Sequence, residues 1–173
     1  MNKTFALIYD FDGTLSPLSM QEYTILPEIG MTGEEFWGIV DAEKKRVKGD
    51  PTLTYMRVLL DICRERGYKM TRDKLVASGK NIRYFEGVEG FFGRVNGIIK
   101  QVSPDIEVKH YVLSSGLKEL IEGCSIARNF TNIFACEYYY GQDGEAKFPK
   151  FCINSTDKTQ YIFRINKGVE DQL

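Results

Sequence analysis

A short apolar run near the N-terminus leads directly into two aspartates. The run from Phe5 to Tyr9 has the length and composition of a buried strand, and the letters DFDGT follow it. Asp10 and Asp12 therefore project beyond the end of the sheet, where Gly13 allows the chain to turn. Ligands of open α/β sheets bind beyond the carboxyl ends of the strands, which is where these aspartates are expected. Because two adjacent carboxylates repel unless a cation lies between them, the sequence predicts a Mg²⁺ site and a phosphorylated substrate.

After this turn, the sequence is typical of helices over a long stretch. Thr32 to Glu35 form a capping-box pattern, and Asp50-Pro51 is a second helix start, since proline suits the first helical position. The apolar residues that follow each start recur at helical spacing. We therefore expect an all-helical cap over residues 16–102, without a strand of its own.

The pattern then returns to strands that alternate with helices. Val108 to Leu113 predict a strand that ends at Ser114-Ser115-Gly116, where a helix is expected to begin. Ile133 to Tyr140 predict another strand, joined by a hairpin to a second arm, and a last helix begins at Thr156 or Asp157. The predicted fold class is α/β: a Rossmann-like parallel sheet core made by residues 1–15 and 103–173, with the helical cap inserted after the first strand.

Bulk composition excludes several classes of function. The 173 residues carry a formal net charge of −1, and no basic run is interleaved with aromatic residues, so we expect no nucleic-acid partner. No window reaches transmembrane length, and we expect no membrane partner. The four cysteines show no CxxC spacing and predict reduced core thiols of a cytoplasmic protein. His110, the only histidine, lies inside a strand-like run, which disfavours Ser-His or Cys-His catalysis.

Two further positions carry chemistry that would suit a phosphate group. Ser114 stands at a strand end, and Ser115 opens the predicted helix, where free backbone N–H groups bind anions; the alternative is a plain N-cap serine. Lys158 stands at the start of the last helix and could neutralise phosphate charge, although most single lysines are simply solvated. The basic cluster from Lys44 to Lys48 could face an anionic substrate, but a solvated helix face explains it better.

Taken together, these strings resemble the motifs of the haloacid-dehalogenase-like (HAD) hydrolases, most of which are phosphatases. The letters DFDGTL at positions 10–15 resemble the first motif, Tyr111 to Ser114 the second, and Asp157 to Gln160 the third. The three strings occur in the order of the family, each on the expected element. The layout is closest to phosphoserine-phosphatase-like members, which carry a helical cap after the first motif.

The resemblance implies a role for each matching residue. Asp10 would attack phosphorus and form an aspartyl-phosphate, and Asp12 would act as the general acid and base. Mg²⁺ would be held by the Asp10 carboxylate and the Asp12 backbone carbonyl. Ser114 and Lys158 would bind the transferring phosphoryl group. Two further phosphate-binding positions are implied: Thr14 and the Ser115 backbone.

The same resemblance includes a fourth motif, an acidic pair after a further strand, which supplies more Mg²⁺ ligands. In the family, this motif normally lies further beyond the lysine than the few residues that follow Lys158 here. We therefore expect the sequence to be part of a longer hydrolase. Glu170 and Asp171 follow no hydrophobic strand and are not assigned that role. The missing strand would lie beside the first strand, so we expect the first strand to be an exposed edge that either pairs with another copy or leaves the catalytic loop poorly ordered. Loss of the additional carboxylates is also expected to weaken Mg²⁺ binding and turnover.

The expected partner is a small phosphorylated metabolite, whose identity the sequence does not give. Glu22 and Tyr23 lie just inside the cap, where this family often places specificity residues. Two other functions remain open: a carbon–halide hydrolase in which Asp10 attacks carbon, and a non-catalytic phosphate-binding or interaction protein. The missing fourth motif favours the non-catalytic protein. A carbon–halide hydrolase would leave Asp12 without an obvious role as an acid or base.

Overall fold

The computed structural model describes residues 3–170. Its strands form one sheet in the order β1-β2-β3-β4. The strands are β1 (Lys3–Tyr9), β2 (Ile106–Leu117), β3 (Asn132–Tyr140) and β4 (Ala146–Phe151). β1, β2 and β3 are parallel, and β4 returns antiparallel to β3. The predicted α/β class, its parallel core and the terminal hairpin are therefore confirmed.

Helices fill the connections between these strands. Between β1 and β2 lie α1 (Met20–Tyr23), α2 (Ile25–Glu28), α3 (Gly33–Val47), α4 (Pro51–Glu65), α5 (Arg72–Ser78) and α6 (Val88–Val102). α7 (Lys118–Glu122) follows β2, and α8 (Lys158–Lys167) follows β4. Short 3₁₀ turns occupy Gly79–Asn81 and Ala127–Asn129. Within residues 3–170, no helix is long and apolar enough to cross a membrane.

The starts of α3 and α4 are fixed by the residues that the sequence singled out. The Thr32 hydroxyl accepts a hydrogen bond from the Glu35 N–H, and the Glu35 carboxylate accepts one from the Thr32 N–H, so the capping box is complete. At α4, the Asp50 carboxylate accepts from the N–H groups of Thr52 and Leu53. These bonds satisfy donors that the first helical turn leaves free.

α4 joins the helical segment to the strand hairpin. Its inward side buries Met56, Leu59 and Cys63 completely. The Tyr138 hydroxyl on β3 donates to the Met56 carbonyl at 2.8 Å, so helix and strand share a hydrogen bond as well as apolar surface. The carbonyl of Ala146 on β4 accepts from the Arg64 side chain at 3.3 Å.

α6 packs directly on the parallel sheet. Phe92 is buried against the rings of Tyr9, His110 and Phe130. His110 is itself buried in β2, bonded at Nδ1 to the Tyr9 hydroxyl and at Nε2 to the Asn96 side chain, at 2.8 and 2.9 Å. Burial lowers the pKa of His110, which favours the neutral ring. α6 therefore contacts the core sheet, while the division of the chain into core and cap at residue 102 stays a prediction.

β1 lies at one end of the strand order, as predicted. In the part of the chain that the structure describes, it pairs with β2 alone. Phe5 on this strand leaves 47% of its surface exposed. An apolar edge strand is a template for pairing. Self-association through this edge remains a prediction.

The packing of α5 on α7 predicts an unusually large effect of one methyl group. A Cβ at Gly123 would lie 1.8 Å from the Val76 carbonyl oxygen, and only a backbone shift can relieve that overlap. We expect Gly123→Ala to lower the free energy of unfolding by at least about 2 kcal/mol in urea denaturation. Gly93→Ala is the control, because a Cβ at Gly93 meets nothing within 4 Å in the interior of α6. It should raise stability by about 0.5–1 kcal/mol. Equal effects would contradict the close α5–α7 contact.

Candidate active site

The first motif follows the end of β1 and lies beside the part of β2 that carries the second motif. Tyr9 pairs with Val112 in parallel register, and Asp10 and Ser114 follow that pair along their strands. The Phe11 N–H donates to Asp10 Oδ1 at 2.8 Å, which orients the carboxylate as the chain leaves the strand. Gly13 has a φ of +77°, a conformation that glycine adopts without strain. The predicted turn after the first strand is thus present.

One part of the second motif differs from the prediction. β2 continues to Leu117 and α7 begins at Lys118, so the expected helix start at Ser115-Gly116 is wrong. The Leu117 N–H donates to the sulfur of Met20 at 3.2 Å, and this contact with the cap holds the backbone extended. Ser114 is buried within the strand, where its hydroxyl accepts from the Gly116 N–H at 2.9 Å.

Lys158 joins the third motif to the first. As the first residue of α8, it places its Nζ 2.7 Å from Asp10 Oδ2. The preceding turn is fixed by Asn154, whose side-chain oxygen accepts from the N–H groups of Thr156 and Asp157. The structure therefore brings together Asp10 and Lys158, which the sequence places near opposite ends of the chain.

Asp12 occupies a more enclosed environment than Asp10. Its Oδ1 accepts from the Met20 N–H at 3.0 Å. Burial raises the pKa of Asp12 to about 7, and the negative charges of Asp10 and Glu22 act in the same direction. The Met20 hydrogen bond and the charge of Lys158 oppose this rise. A carboxyl group with a pKa near neutrality can both donate and accept a proton.

The remaining predicted positions lie around these groups. Thr14 is exposed in the turn, and its N–H donates to the Phe11 carbonyl at 3.2 Å. Ser115 is partly buried, and its carbonyl accepts from the Tyr55 hydroxyl of α4 at 2.6 Å. The site thus includes contributions from both the strand ends and the cap.

A cavity of about 270 Å³ extends from Asp12 and Ser115 into the cap. Its other lining residues come from α1, α3 and α4: Gln21, Trp37, Val40, Asp41, Lys44, Pro51, Thr52 and Tyr55. Gln21 is buried, and its Oε1 has no hydrogen-bond partner. Such a buried acceptor is costly unless something satisfies it. The cavity therefore combines an apolar and aromatic wall with polar groups next to the predicted catalytic carboxylate.

Glu22 and Tyr23, the positions that the sequence suggested for specificity, do not line the cavity. Glu22 accepts from the Trp37 indole N–H at 3.2 Å, behind the lining. Arg46 is exposed and pairs with Glu43, in agreement with a solvated helix face. Lys44 of the same basic cluster pairs with Asp41 at 2.7 Å and lines the cavity. Sequence patterns did not indicate that Gln21 and Trp37 line a cavity, because their positions depend on how separate helices pack.

The charges of the site are compatible with a bound cation. The negative charges of Asp10 and Glu22 act on Asp12, and Lys158 is the cation that opposes them. Within residues 3–170, no cluster of three or more His, Cys, Asp or Glu could hold a metal ion. Mg²⁺, however, commonly uses one or two carboxylates and completes its shell with water and substrate oxygens. The donor set at the end of β1 fits that mode.

Glu170 is placed away from this donor set. Its carboxylate accepts from the Tyr111 hydroxyl on β2 at 3.0 Å. Asp171 lies outside the described residues. Neither residue gains a metal-binding role from the structure.

Three solved structures share this fold. A HAD family hydrolase from Salmonella enterica serovar Typhi matches with a TM-score of 0.66 at 14% identity, over 95% of this chain and 51% of its own. A phosphoserine phosphohydrolase-like protein from Francisella tularensis matches with a TM-score of 0.58 at 19% identity, over 98% and 74%. A phosphoserine phosphatase, solved as an analogue of its phospho-aspartyl intermediate, matches with a TM-score of 0.60 at 17% identity, over 96% and 74%.

Among curated proteins, an uncharacterized protein of Borreliella burgdorferi is 28% identical over 190 aligned positions. The alignment covers 97% of this chain and 66% of that relative, so the chain spans about two thirds of its length. No family model matches. The comparisons confirm, at the level of the fold, the resemblance that the motifs indicated: this chain has the fold of the HAD hydrolases.

The ion pair at the site predicts a small effect on stability. The side chains of Lys158 and Asp10 are 24% and 45% exposed, and ion pairs this accessible contribute little to folding. We expect Lys158→Gln to change the free energy of unfolding by less than about 1 kcal/mol in urea denaturation. Lys150→Gln, which removes an exposed pair with Glu137, is the matched control. A much larger loss for Lys158→Gln than for the control would show that the lysine serves the fold instead of a ligand.

Proposed function

We propose that this protein is a Mg²⁺-dependent phosphomonoester hydrolase that acts through an aspartyl-phosphate on Asp10. The observation that carries the proposal is the arrangement of Lys158 Nζ 2.7 Å from the Asp10 carboxylate, beside an Asp12 whose pKa is raised to about 7. An accessible carboxylate, an adjacent cation and a separate proton-transfer group are the parts that nucleophilic phosphoryl transfer needs. The shared fold with HAD hydrolases supports this assignment.

In the proposed first step, Asp10 attacks the phosphorus atom of the substrate. Asp10 is the more exposed of the two aspartates, and its Oδ1 is oriented by the Phe11 N–H. The bond between phosphorus and the leaving alkoxide breaks as the bond to the carboxylate oxygen forms. Asp12 donates its proton to the leaving oxygen, because its raised pKa keeps a substantial protonated fraction near neutral pH.

In the second step, Asp12 acts as a general base instead of a general acid. Asp12, now ionised, accepts a proton from the water that attacks the aspartyl-phosphate. The carboxylate of Asp10 is thereby released, and inorganic phosphate leaves. The Met20 N–H holds Asp12 in place for both transfers through the bond to Oδ1.

The other predicted site residues stabilise the charge of the phosphoryl oxygens. Lys158 already contacts the nucleophile, so its ammonium group can follow the phosphoryl group onto Asp10. Ser114, Thr14 and the Ser115 backbone complete this set. Mg²⁺ would be held by the Asp10 carboxylate and the Asp12 carbonyl, where it supplies the positive charge that lets an anionic nucleophile approach an anionic phosphate.

The substrate in this proposal is a small phosphorylated metabolite whose leaving group occupies the cavity beside Asp12. The cavity, of about 270 Å³, has Trp37 and Tyr55 in its lining. Gln21 adds a buried acceptor without a partner. A leaving group that carries a hydroxyl or amino donor would satisfy it.

Substitution of the two aspartates tests the mechanism. Asp10→Asn should abolish both turnover and covalent phosphoryl transfer, because the amide is no longer a nucleophile. Asp12→Asn should lower kcat by about 10²–10⁴-fold, the range of general acid–base catalysis. The measurement is Mg²⁺-dependent release of phosphate from p-nitrophenyl phosphate. Asp105→Asn, an exposed change before β2, is the control.

The same assays separate the alternative functions. Normal phosphatase activity in Asp10→Asn would show that the nucleophile is wrong. Release of halide from 2-haloacids without phosphatase activity would instead support attack on carbon. Phosphate binding with no turnover of either substrate class would support a binding protein.

Gln21 provides a test of substrate selection. Gln21→Leu should lower kcat/KM for the best substrate with a polar leaving group by about 10–100-fold, since a lost hydrogen bond of about 1.5–3 kcal/mol corresponds to that factor. Activity on p-nitrophenyl phosphate, which has no donor in its leaving group, should change little. Gln101→Leu, on the exposed side of α6, is the matched control. Equal losses on both substrates would contradict a role of Gln21 in recognition.

A further inference from the structure

Two cysteines lie opposite each other at the end of the strand hairpin. Glu137 of β3 pairs with Phe151 of β4 in antiparallel register, so Cys136 and Cys152 are the next residues along the same ladder. The Ile153 N–H donates to Cys136 Sγ at 3.2 Å, which confirms the close approach of the two segments. Opposite residues of antiparallel strands have Cα atoms about 4.5–5.5 Å apart. That separation lies within the range that a disulfide can bridge.

The two thiols differ in accessibility and in acidity. Cys136 is completely buried, whereas Cys152 is partly exposed; both are free. The proximity of the two thiols lowers the pKa of Cys152 and raises that of Cys136, and burial raises the latter further. Burial and the negative charges of Asp50 and Asp157 oppose the lowering of the pKa at Cys152. Reactive cysteines combine accessibility with thiolate character, and they often lie beside a second cysteine that resolves the oxidised form.

We propose that Cys152 and Cys136 form a reversible intramolecular disulfide when the protein meets hydrogen peroxide. The Cys152 thiolate attacks one peroxide oxygen, the O–O bond breaks, and a sulfenic acid forms as hydroxide leaves. Cys136 then attacks the Cys152 sulfur, the S–O bond breaks, and the oxygen leaves as water with the Cys136 proton. The two sulfurs together lose two electrons to one peroxide molecule. A dithiol reductant reverses the reaction by thiol–disulfide exchange.

This pair is connected to the catalytic site. Cys136 Sγ lies 3.3 Å from the Ser115 carbonyl, the group that also accepts from Tyr55. Cys152 Sγ lies 4.0 Å from the Asp50 carboxylate, which caps α4. The segment after Cys152 leads to Lys158. A disulfide removes the thiol hydrogen that Cys136 donates to the Ser115 carbonyl, so oxidation should lower the activity; this second part rests on the proposed function.

Peptide mapping tests the disulfide independently of any activity. Trypsin places Cys136 in the peptide 129–147 and Cys152 in the peptide 151–158, and neither peptide contains another cysteine. After treatment with peroxide and alkylation of the folded protein, we expect these two peptides to be linked with the loss of two hydrogen atoms. The link should form within single chains, as judged by gel migration without reductant, and dithiothreitol should reverse it.

Cysteine variants provide the controls. Cys152→Ser and Cys136→Ser should each abolish the link, and Cys124→Ser, which replaces another buried thiol, should retain it. Oxidation of wild-type Cys152 to the sulfinic acid without a link, or a link only between chains, would overturn the proposal. If the link forms, the phosphatase activity of wild type should fall several-fold and recover with dithiothreitol, while Cys152→Ser should resist peroxide. A link without loss of activity would overturn the regulatory part alone. Absence of phosphatase activity before oxidation would contradict the proposed function and leave the result for the disulfide unchanged.

Discussion

The ion pair between Lys158 and Asp10 is the contact on which the candidate site depends. Asp10 follows β1, the first strand, and Lys158 begins α8, the last helix. The pair therefore joins the first and last of the described elements. The pair contributes little to stability because both side chains are accessible. Its importance is geometric: it brings the first residue of α8 to the end of β1. The proposed phosphate site depends on that juxtaposition.

The rest of the site is built by contacts between the sheet and the cap. The Met20 N–H holds Asp12, and the Met20 sulfur accepts from the Leu117 N–H, so one residue of α1 connects both strand ends. Tyr55 of α4 donates to the Ser115 carbonyl. The cavity beside Asp12 exists because these helices are held against the sheet without filling the space between them. In the proposed mechanism, substrate selection and proton transfer would therefore depend on the same packing.

The sequence predicted the parts of this arrangement that local patterns determine. The turn after β1, the capping box of α3 and the α/β order follow from short strings of residues, and the structure confirms them. The helix start after Ser114 was wrong, because a distant methionine keeps the backbone extended. Gln21 and the cross-strand position of Cys152 were missed for the same reason: each depends on register or helix packing between distant segments. The catalytic roles of Asp10 and Asp12 stay predictions.

The hydrogen bonds of α4 tie one wall of the cavity to the sheet. Two consecutive residues of this helix are tied to different strands: the Tyr55 hydroxyl to the Ser115 carbonyl of β2, and the Met56 carbonyl to the Tyr138 hydroxyl of β3. A rotation of α4 away from the sheet would break both bonds at once. α3 packs on the same helix through the Trp37–Tyr55 ring contact as well as the Glu43–Arg57 pair. The shape of the cavity beside Asp12 is therefore coupled to the positions of two strands at once.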